Sequence, residues 1–269
     1  MIHRTRAVVG IQARMSSGRL PGKVIADVSG KPLIQRVWER ARSAELVDEA
    51  YVLTSFAASD DPLVAELERC AIPYRRGFLS DVLSRYVALA DELDPRFLVR
   101  VTGDCPLVEP GFIDQQIRAL EAFDGDLIEV EGGGVEGVLG GQSTISSRAL
   151  RLVLESEDPR DREHVGAFYF VNCVERFRFV GITVPDELRD RGIRLSVDEE
   201  EDLALVRRVY DHFTGADGKS PSVAEVLSWL DANPEVRDLN RSVVESRDNQ
   251  DLRAMKRESK TLLVGRYAP

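Results

Sequence analysis

Apolar and polar positions along the first half of the chain alternate between two rhythms. Short, mostly apolar runs at 7–11, 50–54, 97–101 and 127–130 predict strands, and Ile72–Tyr74 predicts a further short one. Between them the apolar residues recur at helical spacing. Leu33, Ile34, Val37, Trp38 and Ala41 predict a helix introduced by Gly30-Lys31-Pro32. Ser59-Asp60-Asp61-Pro62 reads as a helix start, with Leu63, Val64 and Leu67 inward. Ser80 is expected to cap a helix carrying Val82, Leu83 and Tyr86, and Pro110 to open one that runs through Leu120. This β-α-β-α succession predicts an α/β fold: a mostly parallel, Rossmann-like sheet flanked by helices, with right-handed crossovers.

The rhythm breaks at Glu131–Gly141, where six glycines predict an irregular loop, read either as a segment near the ligand or as a plain linker. Beyond it the pattern predicts helices near 147–154, 162–172, 199–213 and 222–230, and a strand near 177–184. After Asn240 the chain is polar and charged, so residues 1–240 are expected to form one domain and 241–269 a C-terminal extension.

Composition narrows the function classes. A net charge of −10 argues against nucleic acid as the main partner but leaves room for a nucleotide, because local cations can sit in an acidic protein. The three cysteines are scattered and form no metal-binding pair, which suits a reducing, cytoplasmic setting. Met1-Ile2-His3-Arg4 leads into a strand without the apolar stretch of a signal peptide, and no segment approaches the roughly 20 apolar residues that span a membrane.

Candidate chemistry concentrates at the ends of the predicted strands, where open α/β sheets bind ligands. After Ile11 comes a loop with Ser16, Ser17, Gly18 and Gly22, which lets backbone amides approach an oxyanion, and with Arg14, Arg19 and Lys23 to neutralise it. It is neither the dinucleotide fingerprint nor the P-loop. The alternative is an ordinary turn with solvated cations. Asp104, in Thr102-Gly103-Asp104-Cys105-Pro106, is a candidate ligand for a hard cation or the acceptor of an Asx turn. Asp198 is a second candidate ligand, or the N-cap of the 199–213 helix. Arg75, Arg76, Gly77, Ser80, Asp81 and Arg85 follow the third strand and suit either a base or ribose contact or a surface loop. Arg100, if inward, needs a partner, and His164 reads as an acceptor-site residue or a structural one.

Ile11-Gln-Ala-Arg-Met-Ser-Ser-Gly-Arg-Leu-Pro-Gly-Lys23 resembles the opening of cytidylyltransferases of the spore-coat polysaccharide type, relatives of the CMP-sialate and CMP-Kdo synthetases. Gly30–Leu33, Arg76-Gly77, Asp81–Tyr86, Arg100–Leu107, Arg162–Val165, Val197-Asp198 and Glu201–Leu203 extend the resemblance over about residues 7 to 240. It implies a nucleotide-diphosphosugar-transferase-like fold and Mg2+-dependent transfer of CMP from CTP to a small-molecule acceptor. At the matched positions Arg14, Lys23 and Asp104 would be catalytic. Gln12, Ala13, Ser17, Gly18, Arg19, Arg76, Asp81, Arg100, Thr102 and Gly103 would join Arg14 and Lys23 around the nucleotide. Gln142, Arg162 and His164 would face the acceptor, and Asp104 and Asp198 would hold Mg2+. The family's frequent dimerisation implies a homodimer, with the extension as one contact. Two departures stand out. Gly18 replaces a hydroxyl residue of the loop, and Leu139-Gly140-Gly141-Gln142-Ser143 lacks the two acids of the family's Gly-Leu-Asp-Val-Glu stretch, so the acceptor is read as either a sugar acid or a phosphonate or phosphate compound. A glycosyltransferase using a nucleotide-sugar and a non-catalytic nucleotide-binding protein are the competing readings.

Overall fold

The computed structural model describes residues 5–133, 135–139, 141–189, 192–213, 220–244, 250–252, 254–255 and 261–268. Gly134 and Gly140 of the glycine-rich segment, and much of the polar stretch after Val244, lie outside these residues. The strands are β1 (Thr5–Gln12), β2 (Asp27–Val28), β3 (Lys31–Pro32), β4 (Glu49–Ser55), β5 (Tyr74–Gly77), β6 (Pro95–Thr102), β7 (Leu127–Val130), β8 (Gln142–Ser146), β9 (Phe179–Ile182) and β10 (Leu263–Tyr267). The α-helices are α1 (Leu33–Ala41), α2 (Asp61–Arg69), α3 (Val82–Leu93), α4 (Pro110–Phe123), α5 (Glu136–Leu139), α6 (Ser147–Leu152), α7 (Pro159–His164), α8 (Ala167–Asn172), α9 (Glu200–Phe213), α10 (Val223–Ala232) and α11 (Pro234–Arg237).

The main sheet runs β5-β4-β1-β6-β8, parallel except for β8, which lies antiparallel to β6. A smaller parallel sheet runs β10-β9-β7, and β2 pairs with β3 as a short antiparallel ladder. The expected α/β architecture is therefore present. β1 explains why its apolar run is unbroken. Ala7, Val9 and Ile11 join the core packed with Leu33, Ile34, Leu63 and Ile113, whereas Val8 points into a second core with Leu53, Leu83, Tyr86 and Leu98. Burial on both faces of a central strand demands apolar residues at both parities. Gly10 belongs to the same logic, since a Cβ there would sit 2.6 Å from the Tyr86 ring.

Four local readings are corrected. The third strand begins two residues later than expected, because Ala71 turns the chain at φ 54° and Ile72 is used to close α2 onto Leu67. Arg75, Arg76 and Gly77 thus lie within β5, not after it. Asp81, not Ser80, caps α3, accepting the Ser84 amide at 2.9 Å. The single helix expected over 162–172 is broken into α7 and α8 by Val165 and Gly166, both at positive φ. The glycine-rich segment contains a one-turn helix, α5, pinned by buried Val135, Val138 and Leu139.

β8 was absent from the sequence reading. It is short, and its partner β6 lies about 40 residues upstream, so no local pattern announces it. Part of the extension returns as β10 and pairs with β9 of the same chain. Among the described residues no helix is long and apolar enough to cross a membrane.

Candidate active site

The carboxyl ends of β1 and β6 open into a cleft of about 860 Å³. Its floor is built by backbone geometry before any side chain is considered. Gly103 donates to Gln12 O at 2.9 Å and Ala13 to Leu53 O at 3.1 Å, so the loops after β1 and β6 are tied to each other and to β4. Gly103 is required for this closeness. A Cβ there would lie 2.9 Å from both Ala13 Cβ and Gln12 O.

Lys23 is the centre of the charged end. Its side chain is only 8% exposed, and its ammonium donates to Asp104 Oδ2 at 2.8 Å, Asp198 Oδ1 at 2.8 Å and Val197 O at 2.6 Å. Burial alone would push the ammonium pKa down. The carboxylates of Asp104 and Asp198 outweigh it and hold Lys23 above its ordinary value. For Asp104, burial pushes the pKa up, but Lys23 and hydrogen bonds from Thr102 and Cys105 hold it below its ordinary value. Burial, reinforced by Asp104, pushes the Cys105 thiol up, so it stays protonated as a donor to Asp104 Oδ1 at 3.6 Å.

Asp198 is freed for this role by Asp202, which the sequence reading quotes within a matched motif but gives no role. Fully buried Asp202 accepts the amides of Asp198 and Glu199 at 2.8 and 3.0 Å. It fixes the two residues just before α9 from within the first turn, while the Asp198 carboxylate is engaged by Lys23, Arg19 and Arg194. Asp198 bonds Arg194, four residues earlier, and Arg19 at 2.7 Å. The acid five residues after Val197 was the available signal.

The remaining expected residues divide into two groups. Gln12, Ala13, Arg14, Ser17, Gly18, Arg19, Arg100, Thr102, Gly103, Gln142 and His164 all line the cleft with Lys23, Asp104 and Asp198. Arg100 has the partner its position demanded, Gln12 Oε1 at 3.0 Å, and Arg14 reaches Glu163 at 2.9 Å. Arg76, Asp81 and Arg162 are not among the lining residues. Arg76 is spent on Ser55 O, Ala57 O and Asp61. Asp81 caps α3 and faces Arg162 at 3.6 Å. Leu252 and Thr261 of the extension also line the cleft, and Arg19 donates to Val244 O at 3.0 Å.

Asp104 and Asp198 form a two-carboxylate set already converging on one cation, the Lys23 ammonium. That fits a hard divalent ion that completes its shell with phosphate oxygens and water. Among the described residues there is no cluster of three or more acidic, His or Cys ligands that would hold a metal by itself.

The cytidylyltransferase family profile matches residues 8–166. The spore coat polysaccharide biosynthesis protein SpsF of Bacillus subtilis is 28% identical over 233 residues, covering 84% of this chain and 94% of that protein. The 3-deoxy-manno-octulosonate cytidylyltransferase of Geobacter metallireducens is 38% identical over 115 residues, 42% of this chain and 43% of that one. A solved cytidylyltransferase structure from Leptospira borgpetersenii superposes with a TM-score of 0.77 at 21% identity, covering 91% of this chain and all of that one.

Proposed function

This chain belongs to the cytidylyltransferase family, and we propose on that premise that it transfers CMP from CTP to a small-molecule acceptor in a Mg2+-dependent reaction. An acceptor oxygen attacks the α-phosphorus in line, the bond to the β-phosphate oxygen breaks, and pyrophosphate leaves. The observation that carries this reading is the meeting of Arg14, Arg19 and Lys23 with Asp104 and Asp198 in one cleft at the strand ends. Arg14, Arg19 and the loop amides bind and orient the triphosphate. Lys23 neutralises charge beside it and keeps the two carboxylates together. Arg100, held by Gln12, lines the same cleft and is assigned to the nucleotide. Asp104 and Asp198 would hold Mg2+, which when bound supplies positive charge against the phosphate oxygens. Positioning and charge do most of the work in such displacements.

One of the two positions where the family carries an acid, Gly141, is sterically closed. At Gly141 a Cβ would lie 2.1 Å from Cys105 Sγ, so no carboxylate side chain fits at that position while Cys105 stays in place. Gln142 is buried and its Oε1 accepts the Glu109 amide at 3.2 Å. The acceptor in this reading is a sugar acid or a phosphonate or phosphate compound. Replacing Gly141 by alanine is expected to destabilise the fold by about 1–3 kcal/mol through overpacking, measured as a lower denaturant midpoint.

Pyrophosphate release from each of the four common ribonucleoside triphosphates, with sugar acids and with phosphonates as acceptors, tests the reading. Turnover with CTP is expected. Binding of CTP without release for any acceptor would leave the chain a nucleotide-binding protein, and release of a nucleoside diphosphate from a nucleotide-sugar would make it a glycosyltransferase. We further propose that the protein is a homodimer, which a monomeric mass in light scattering would remove.

A further inference from the structure

We propose that Asp60 is a positioning residue for this reaction: its buried carboxylate anchors the loop that presents Arg14 and Arg19 to the triphosphate. The sequence offers Asp60 as part of a helix start, and α2 does begin at Asp61. Yet the Asp60 side chain bonds none of the helix's free amides. It turns the other way. Oδ1 accepts the Met15 amide at 2.8 Å, and Oδ2 accepts Thr54 Oγ1 at 3.2 Å, Ser55 N at 3.3 Å and Ser55 Oγ. The residue is fully buried. Among the described residues no cation pairs with it, unlike buried Asp126 and Asp202, which face Arg148 and Arg194. Buried Arg85 acts on it through charge without pairing with it, so its hydrogen bonds all come from neutral donors, and these belong to the phosphate loop and the end of β4.

Met15 is the point where that support matters. Its amide is held by Asp60, and its carbonyl accepts Ser17 N and Gly22 N, each at 2.9 Å. Both backbone groups of one residue therefore fix the outgoing and returning limbs of the loop, with Gly22 at φ 76° closing it. Arg14 precedes this anchor and Arg19 lies inside the loop it closes. Leu53 O, one residue before Thr54, receives both Ala13 N and the buried Arg85 guanidinium. The end of β4 thus acts as a bed for the loop, and Asp60 is the fastener. The inference rests on the reading of this loop as the triphosphate site.

The test compares Asp60→Asn with Asp114→Asn in the full-length protein. Asp114 is equally a buried acid that accepts two loop amides, those of Glu45 and Leu46, and it does not line the cleft. CTP affinity in the presence of Mg2+, the KM for CTP, kcat and thermal stability are measured for each. Asp60→Asn is expected to weaken CTP binding and raise its KM about tenfold, with a smaller change in kcat. Asp114→Asn is expected to lower stability by a similar amount while leaving CTP affinity unchanged. Ser55→Ala, a milder loosening of the same carboxylate, should move CTP affinity in the same direction by less, and it decides the matter if Asp60→Asn does not fold. Unchanged CTP affinity in the Asp60 and Ser55 variants, or an equal loss in the Asp114 variant, overturns the inference. Failure of the unaltered protein to bind CTP overturns the functional reading instead.

Discussion

Replacing Asp104 by alanine is expected to lower pyrophosphate release from CTP by about 10³-fold, a loss near 4 kcal/mol of transition-state stabilisation. Asp104 is one of two carboxylates that share the Lys23 ammonium, and it sits beside Gly103, whose amide ties the β6 loop to Gln12. Its removal leaves Lys23 held by Asp198 and Val197 O, so the fold should persist while one of the two carboxylates proposed to hold Mg2+ is gone. The measurements are single-turnover release of pyrophosphate, CTP affinity with and without Mg2+, and a melting curve. A variant that retains its fold and its rate would remove Asp104 from the reaction.

Exchange of Lys23 for methionine should have the largest effect on stability. The stem is nearly isosteric, but Asp104 then loses its cation and faces Asp198, which keeps only Arg19 and Arg194 on its far oxygen. Breaking a buried ion pair costs about 3–5 kcal/mol, and the partial exposure of both acids places this case at the lower end. The sign of the pH dependence follows. In the unaltered protein the depressed Asp104 pKa stabilises the fold above the ordinary carboxylate range and is lost as pH falls through its folded value. The raised Lys23 pKa stabilises the fold below the ordinary lysine value and is lost as pH rises through its folded value. In the variant the acids repel, so its deficit should shrink as pH falls toward about 5 and carboxylate protonation begins. Mg2+ should raise its melting temperature more than that of the unaltered protein. Denaturation at pH 5 and pH 8, with and without Mg2+, checks both statements. A deficit that is independent of pH and of Mg2+ would show that Lys23 does not separate the two acids.

Much of this arrangement was legible in the sequence because its signals are local. β1, β4 and β6 are apolar at both parities, and α1 and α9 carry clear helical spacing, so the sheet and the loops at its carboxyl edge follow from chain order. Arg14, Arg19, Lys23 and Asp104 stood out for the same reason. What escaped depends on partners distant in sequence. β8 is defined by its pairing with β6. Arg76 looked available until Asp61 and two carbonyls were found to hold it. Asp60 reads as part of a helix start and Asp198 as a metal ligand or a helix cap. In one case the side chain turns away from its helix, and in the other the carboxylate is taken by Lys23, Arg19 and Arg194. Residue type announces the chemistry a position can do, but competition between donors decides which of two jobs it takes.

The lysine's two acids lie 81 and 175 residues further along the chain. During synthesis on the ribosome, Lys23 therefore emerges long before its second counter-charge exists, and contacts of such wide separation form late and slowly. The family profile ends at residue 166, yet the charge triad closes only at Asp198. A fragment cut at that boundary would keep Lys23 and Asp104 and still present a half-compensated ammonium.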